Sequence, residues 1–230
     1  MMVPGVPKVP GRLSACLVLL LLSASASEAQ TRELLPRFAV DLHAATVGLP
    51  QAEGWVPNVS GDTVLPGRAL GLSGAATVYP FRIGVITFGV GASMTTAKGK
   101  GESLTITSGS GATATTRVTP IVRTGITNLA PQLSINFGHK LGWSYLSAGA
   151  GRSRVTSSAD AAGASAQIVV PASWNQALNF GGGAKWFMKP RLGASFDMRF
   201  VKLMSRSPTA TLPSGKRTQM WTISAGISIQ

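Results

Sequence analysis

The chain predicts an all-β fold, an eight-stranded antiparallel up-and-down transmembrane β-barrel. Three observations carry that expectation. Eight segments of about ten residues alternate apolar side chains with small or polar ones, the period-two pattern of a sheet with one apolar and one polar face. The links between them run alternately long and short. A leader of the kind found on exported proteins precedes them all.

The leader comes first in the chain. Lys8 and Arg12 supply a positive start, Leu13 to Leu22 is a ten-residue apolar stretch, and the small-residue run that follows ends Ser27-Glu28-Ala29-Gln30. Ten residues of helix span only about 15 Å, half a hydrocarbon core, so an anchoring helix is the poorer reading. Cleavage is expected after Ala29, leaving residues 1–29 as signal peptide and 30–230 as the barrel domain. Leu13-Ser14-Ala15-Cys16 matches a lipoprotein leader in letters but not in place, because the apolar core continues after the cysteine. Cys16 is the single cysteine, so the mature chain has no thiol, disulfide or Cys metal ligand. Asn58-Val59-Ser60 is a glycosylation triplet of little weight by itself.

The strands follow in order. In the first, Phe38, Val40, Leu42 and Ala44 oppose Ala39, Asp41 and His43. In the second, Leu70, Leu72, Ala76 and Val78 oppose Gly71, Ser73 and Thr77. The third sets Ile86, Phe88, Val90, Ala92 and Met94 against Thr87, Gly89, Gly91 and Ser93. The fourth sets Leu129, Leu133, Ile135 and Phe137 against Gln132, Ser134 and Asn136. The fifth, Trp143 to Arg152, opposes Leu146, Ala148 and Ala150 to Ser147, Gly149 and Gly151; Trp143 and Tyr145 fall on its polar parity and suggest a bulge or an interface position. The sixth sets Leu178, Phe180, Ala184 and Trp186 against Asn179, Gly181, Gly183 and Lys185. The seventh sets Leu192, Ala194, Phe196, Met198 and Phe200 against Gly193, Ser195, Asp197 and Arg199. The last sets Trp221, Ile223, Ala225, Ile227 and Ile229 against Thr222, Ser224, Gly226 and Ser228.

Tyr79-Pro80-Phe81-Arg82, Gly138 to Gly142 and Met188-Lys189-Pro190-Arg191 have the composition of short turns. Long polar links are expected at about residues 49–67, 97–127, 157–176 and 204–218. Within the second of these, Ser103 to Thr107 and Ala112 to Arg123 keep β-type residues, so its strands are expected to continue past the bilayer. Short turns on the periplasmic side and long loops outside are the asymmetry of outer-membrane barrels.

An eight-stranded barrel has a lumen only wide enough for side chains. Gly71, Gly89, Gly91, Gly149, Gly181 and Gly183 on the inward parity leave room there for larger polar groups, and Asp41, His43, Lys185, Asp197 and Arg199 are expected to form a buried luminal charge network. The formal net charge is +13, and +12 without Lys8, Arg12 and Glu28 of the leader. The basic residues sit singly at strand ends and in links, with no aromatic-interleaved stripe of the kind that binds nucleic acid. Such cationic rims suit outer-membrane lipid headgroups or lipopolysaccharide phosphates.

Asn179-Phe180-Gly181-Gly182-Gly183-Ala184-Lys185-Trp186, Ser195-Phe196-Asp197-Met198-Arg199-Phe200 and Val78-Tyr79-Pro80-Phe81-Arg82 resemble the Gly-rich sixth strand, the Asp-x-Arg seventh strand and a turn of the OmpA/OmpX-like small outer-membrane β-barrels. The resemblance covers about residues 36 to 230. It implies residence in the outer membrane after export through the periplasm, handling by the barrel-assembly machinery, and a structural or loop-mediated role without cofactor or metal. The chain departs from the family in ending Ile227-Ser228-Ile229-Gln230, where an aromatic is common.

Two other classes compete. A lipid A-modifying enzyme needs a nucleophile beside a base, and neither His43 nor His139 has a Ser two residues away on its own strand face. A soluble lipocalin-like barrel would carry the same alternation inside out. Against it stand the small polar faces and the placement of Phe38, Phe137, Trp186 and Trp221 near strand ends, where membrane girdles lie.

Overall fold

The computed structural model describes residues 35–51, 55, 63–109, 114–160, 167–208 and 214–230, the side chains of 167–172 excepted. The expected leader with its Ala29 cleavage point and Cys16, and the Asn58 triplet, lie outside the described residues. Ten strands follow one another: β1 (Phe38–Gly48), β2 (Arg68–Ile83), β3 (Ile86–Lys100), β4 (Thr105–Ser108), β5 (Thr115–Val118), β6 (Ile121–His139), β7 (Gly142–Asp160), β8 (Gln167–Lys189), β9 (Leu192–Leu203) and β10 (Thr218–Ile229). Eight of them close a barrel in the order β1-β10-β9-β8-β7-β6-β3-β2, and β4 and β5 pair separately. Every barrel neighbour is antiparallel, including the closing pair, in which Val40 faces Ile229 and Val47 faces Thr222.

Period-two alternation becomes two chemically opposite surfaces. Along β9, Leu192, Ala194, Phe196 and Met198 are exposed, while Gly193, Ser195, Asp197 and Arg199 are buried. Along β1, Phe38, Val40 and Leu42 face out and Asp41 and His43 face in. Leu72, Val90, Leu133, Leu146, Phe180 and Ile227 extend the outward apolar surface around the wall. Stacked pairs Phe81–Phe88 and Phe180–Phe200, with ring centroids 4.9 and 5.6 Å apart, lie on the same outer face. In water, an apolar belt of this extent would cost far more than scattered surface leucines do.

Bulges set where the short turns fall. Tyr79 and Pro80 together oppose Gly89, so β2 continues through the segment read from sequence as a turn, and the chain reverses at Gly84-Val85. A bulge is where a strand tolerates proline, which has no N–H for the ladder. Gly84 has φ of 59°, the left-handed region that two-residue hairpins require. The other tight reversals fall at Lys140-Leu141 and Pro190-Arg191. Both ends of the barrel lie on this side: Phe38 pairs with Val78, and the Gln230 side chain donates to the Pro190 carbonyl at 2.7 Å.

At the opposite end β7 and β8 run further than sequence composition suggests, while β6 begins at Ile121, within a segment expected to continue as strand. β6, β7 and β8 contain 19, 19 and 23 residues, against the roughly 9–11 a tilted strand needs to cross a bilayer. The expected third long link is largely strand, because β7 and β8 stay paired up to Asp160 opposite Gln167. Its Ser- and Ala-rich composition reads as loop in isolation, whereas backbone pairing with a neighbour decides the outcome. A bulge between Val155 and Ser157 accommodates Pro171 there. In the second long link, β4 and β5 make a hairpin of their own, Thr105 opposite Val118.

The orientation of the wall is directly testable. Single-Cys labels at 194, 196 and 198 should be shielded from water-soluble maleimide and quenched by lipid-borne quenchers, with labels at 195 and 197 spared. Phe196→Arg should destabilise the membrane-inserted barrel by about 2–4 kcal/mol, the range for a cation near the midplane of a lipid-facing wall, as measured by reversible unfolding in vesicles.

Candidate functional site

The lumen gathers the polar chemistry of the chain. Lys185 of β8 reaches across to β1, where its Nζ donates to Asp41 Oδ2 at 2.5 Å, with both side chains almost fully buried. On β9 the Arg199 guanidinium grips the Asp197 carboxylate twice, Nε to Oδ1 at 2.6 Å and Nη2 to Oδ2 at 3.0 Å. Arg199 Nη1 also donates to Gln132 Oε1 of β6 at 2.5 Å. His43 lies between two hydroxyls, its Nε2 2.6 Å from Ser195 Oγ and its Nδ1 3.1 Å from Ser224 Oγ. All five residues singled out from the sequence are buried in one lumen.

Tyr145 is the bridge, and sequence reasoning missed it. Its hydroxyl donates to Asp197 Oδ2, and the Lys185 ammonium lies 5.5 Å from the centre of its ring. Trp143 supplies a second ring 5.8 Å from the same ammonium. Of the two readings these residues suggest, a bulge or an interface position, the bulge is absent: the ladder runs unbroken from Gly138 opposite Trp143 to Ser134 opposite Ser147. Polar parity was the signal, since an aromatic on a luminal face can present its ring to a buried cation. Two inward glycines make the space. A Cβ on Gly183 would lie 2.8 Å from Tyr145 Oη, and one on Gly181 would lie 2.9 Å from Arg199 Cγ.

Aromatic and aliphatic side chains close the lumen on both sides of this layer. Toward the short turns, Trp143 stacks on Phe187 with centroids 5.0 Å apart and meets the edge of Tyr79 at 5.9 Å. Toward the long loops, Trp55 from the β1–β2 link is only 1 % exposed among Val47, Leu49, Leu203 and Met220. Its Nε1 donates to the Lys216 carbonyl at 2.7 Å, and Arg206 lies over its ring at 5.4 Å. A lone tryptophan in a polar Gly- and Pro-containing link was the available sequence signal for this cap.

A closed sheet with its apolar groups outward and its charges inward is a membrane barrel. The chain has the fold of an eight-stranded outer-membrane β-barrel. Similar solved structures include Neisserial surface protein A (15 % identity, 84 % of this chain and 97 % of that one, TM-score 0.45). The N-terminal β-barrel domain of Pseudomonas aeruginosa OprF is another (12 % identity, 84 % and 96 %, TM-score 0.40). A third is the outer membrane protease OmpT of Escherichia coli (7 % identity, 71 % and 64 %, TM-score 0.45). No protein-family model and no curated protein sequence matches the chain.

Among the described residues no group of three or more His, Cys, Asp or Glu could hold a metal ion. What the barrel's lumen can do chemically is limited by access. Ser195, His43 and Asp197 are all at least nine-tenths buried.

Three substitutions check this construction. Asp197→Ala leaves Arg199 and Tyr145 without their carboxylate and should cost about 3–5 kcal/mol. Asp160→Ala removes an exposed partner of Arg123 and should cost at most about 1 kcal/mol. Gly183→Ala should cost about 1–3 kcal/mol through crowding against the Phe196 carbonyl, 2.1 Å from the added Cβ, and then against Tyr145. Urea unfolding midpoints of the barrel in detergent or vesicles measure all three.

Proposed function

We propose that the protein is a non-enzymatic outer-membrane barrel, exported through the periplasm and placed by the barrel-assembly machinery, which stiffens the membrane and presents its long loops at the cell surface. The observation that carries this reading is the filled lumen. Its four charged side chains pair with one another, Lys185 with Asp41 and Arg199 with Asp197, and aromatic groups are buried toward both ends of the barrel. What varies in polarity and length lies at the long-loop end, where β6, β7 and β8 run past the bilayer and β4–β5 forms a separate hairpin. Loops carried on a rigid scaffold are where binding surfaces usually lie.

One observation favours an enzymatic reading, a lipid A-modifying barrel. Ser195 Oγ lies within hydrogen-bond distance of His43 Nε2, the contact of a nucleophile and its base. The remaining parts do not support it: Nδ1 meets the Ser224 hydroxyl rather than a carboxylate, and the pair faces the lumen rather than lipid. A soluble lipocalin-like barrel is ruled out by the side-chain parity, which is the reverse of what water-facing walls need.

An epitope inserted after Gly109 should be stained by antibody on intact cells, and one inserted at Gly84 only after permeabilisation. The folded protein should shift its gel mobility on boiling and give no steady conductance in planar bilayers. A large stable conductance, or staining of the Gly84 insertion on intact cells, overturns the reading. Ser195→Ala should leave the lipid A acylation pattern of the host unchanged, and a changed pattern would establish the enzymatic alternative.

A further inference from the structure

The outer wall contains one feature that a plain lipid-facing surface does not need. Between β6 and β8 lies a groove of about 620 Å³, lined by Leu129, Pro131, Ala150, Arg152, Trp174 and Leu178 among others. Its shape follows from the cross-strand neighbours. Pro131 of β6 and Leu178 of β8 flank Ala150 of β7, and Ala148, two residues on, lies between Leu133 and Phe180. Small side chains on the middle strand leave a furrow along β7 between two bulky banks. Pro131 has no N–H to give, and the β6–β7 ladder is interrupted at Ala130 and Pro131.

The furrow has a cationic end. Arg152 lines it, opposite Leu129 on one side and Gln176 on the other, and Arg154 follows as the next outward residue on β7, opposite Thr127 and Trp174. Both arginines are exposed, and among the described residues neither has an ion-pair partner. An arginine on the lipid face costs several-fold less near the headgroups than at the midplane. Tryptophan prefers the same level, and Trp174 is 47 % exposed there. The furrow thus runs from headgroup depth into the acyl region on the long-loop half of the wall.

We infer that this furrow is a binding site for a phosphorylated acyl lipid of the outer leaflet, of lipid A chemistry. Its phosphate sits on Arg152 with Arg154 beside it, and one acyl chain lies along Ala150 and Ala148. Guanidinium groups take phosphate oxygens in paired hydrogen bonds, and the apolar banks fit a hydrocarbon chain. The choice of lipid A rests on the proposed orientation, in which the long-loop half meets the outer leaflet.

Native mass spectrometry of the full mature chain, folded in neutral detergent micelles, tests the inference with three probes: bisphosphorylated lipid A, its dephosphorylated form, and phosphatidylglycerol. Bisphosphorylated lipid A should leave one retained adduct. Arg152→Gln should lower the bound fraction about tenfold, the effect of losing one charge-assisted hydrogen bond. Ala150→Phe should fill the furrow and lower it comparably. Lys98→Gln, an exposed cation on β3, should change nothing. Adducts indifferent to Arg152→Gln and Ala150→Phe would overturn the site, and so would dephosphorylated lipid A bound as well as the bisphosphorylated form. Phosphatidylglycerol bound equally well would overturn the lipid A assignment. Each sample is also run boiled and unboiled. A heat-modifiable barrel without adduct counts against the furrow alone, whereas a chain that is folded and soluble without detergent counts against the membrane barrel itself.

Discussion

Hydrocarbon cannot hydrogen-bond, and the rest of this structure depends on that. Every backbone N–H and C=O at membrane depth has to find its partner within the sheet, so the sheet has to close on itself. Closing with eight strands leaves a lumen of side-chain width. From those two constraints the composition follows: apolar groups on most outward positions at membrane depth, and an inward set whose total volume is limited. Gly181 and Gly183 are the visible cost of placing Arg199 and Tyr145 inside so narrow a wall.

The lumen is also constrained in charge. Asp41 and Asp197 face Lys185 and Arg199, so the formal charges cancel within the buried layer while the excess of +13 lies elsewhere in the chain. Buried ion pairs are weak evidence for net stability, since desolvating both ions consumes much of what their attraction returns. What such pairs supply here is register. Lys185 faces Ser195 across the β8–β9 ladder, and slipping either strand by one residue would turn a charged side chain out into lipid. The network thus selects one alignment from those that the apolar alternation permits.

Much of the fold was legible in the sequence because the decisive information is local: each strand carries its own alternation. The five luminal ionisable residues were legible for the same reason. Partnerships were not. His43 and Ser195 are 152 residues apart, and a scan for a nearby His-x-Ser pair is blind to them by design. Parity puts Trp143 and Tyr145 on the luminal face, but an aromatic there suggests a bulge or an interface position and does not show the cation its ring serves. Strand ends were lost where pairing overrides composition, as along Ser157 and Ser158 of β7. The Tyr79-Pro80 bulge was taken for a turn because proline and arginine are turn residues first and strand residues only where a ladder is already broken.

The two ends of the lumen are closed in different ways, and the difference bears on function. Toward the short turns the closing groups, Tyr79, Trp143 and Phe187, belong to barrel strands and move only with the wall. Toward the long loops the closing group is Trp55, a link residue. It joins the first long link to the last through the Lys216 carbonyl and lies beneath Arg206. Burying an indole releases considerable apolar surface from water, so the two links are held to the top of the barrel core at Trp55 and Lys216. A pinned loop loses less conformational entropy when it meets a partner. The same contact that closes the lumen therefore preorganises part of the surface the barrel presents outward.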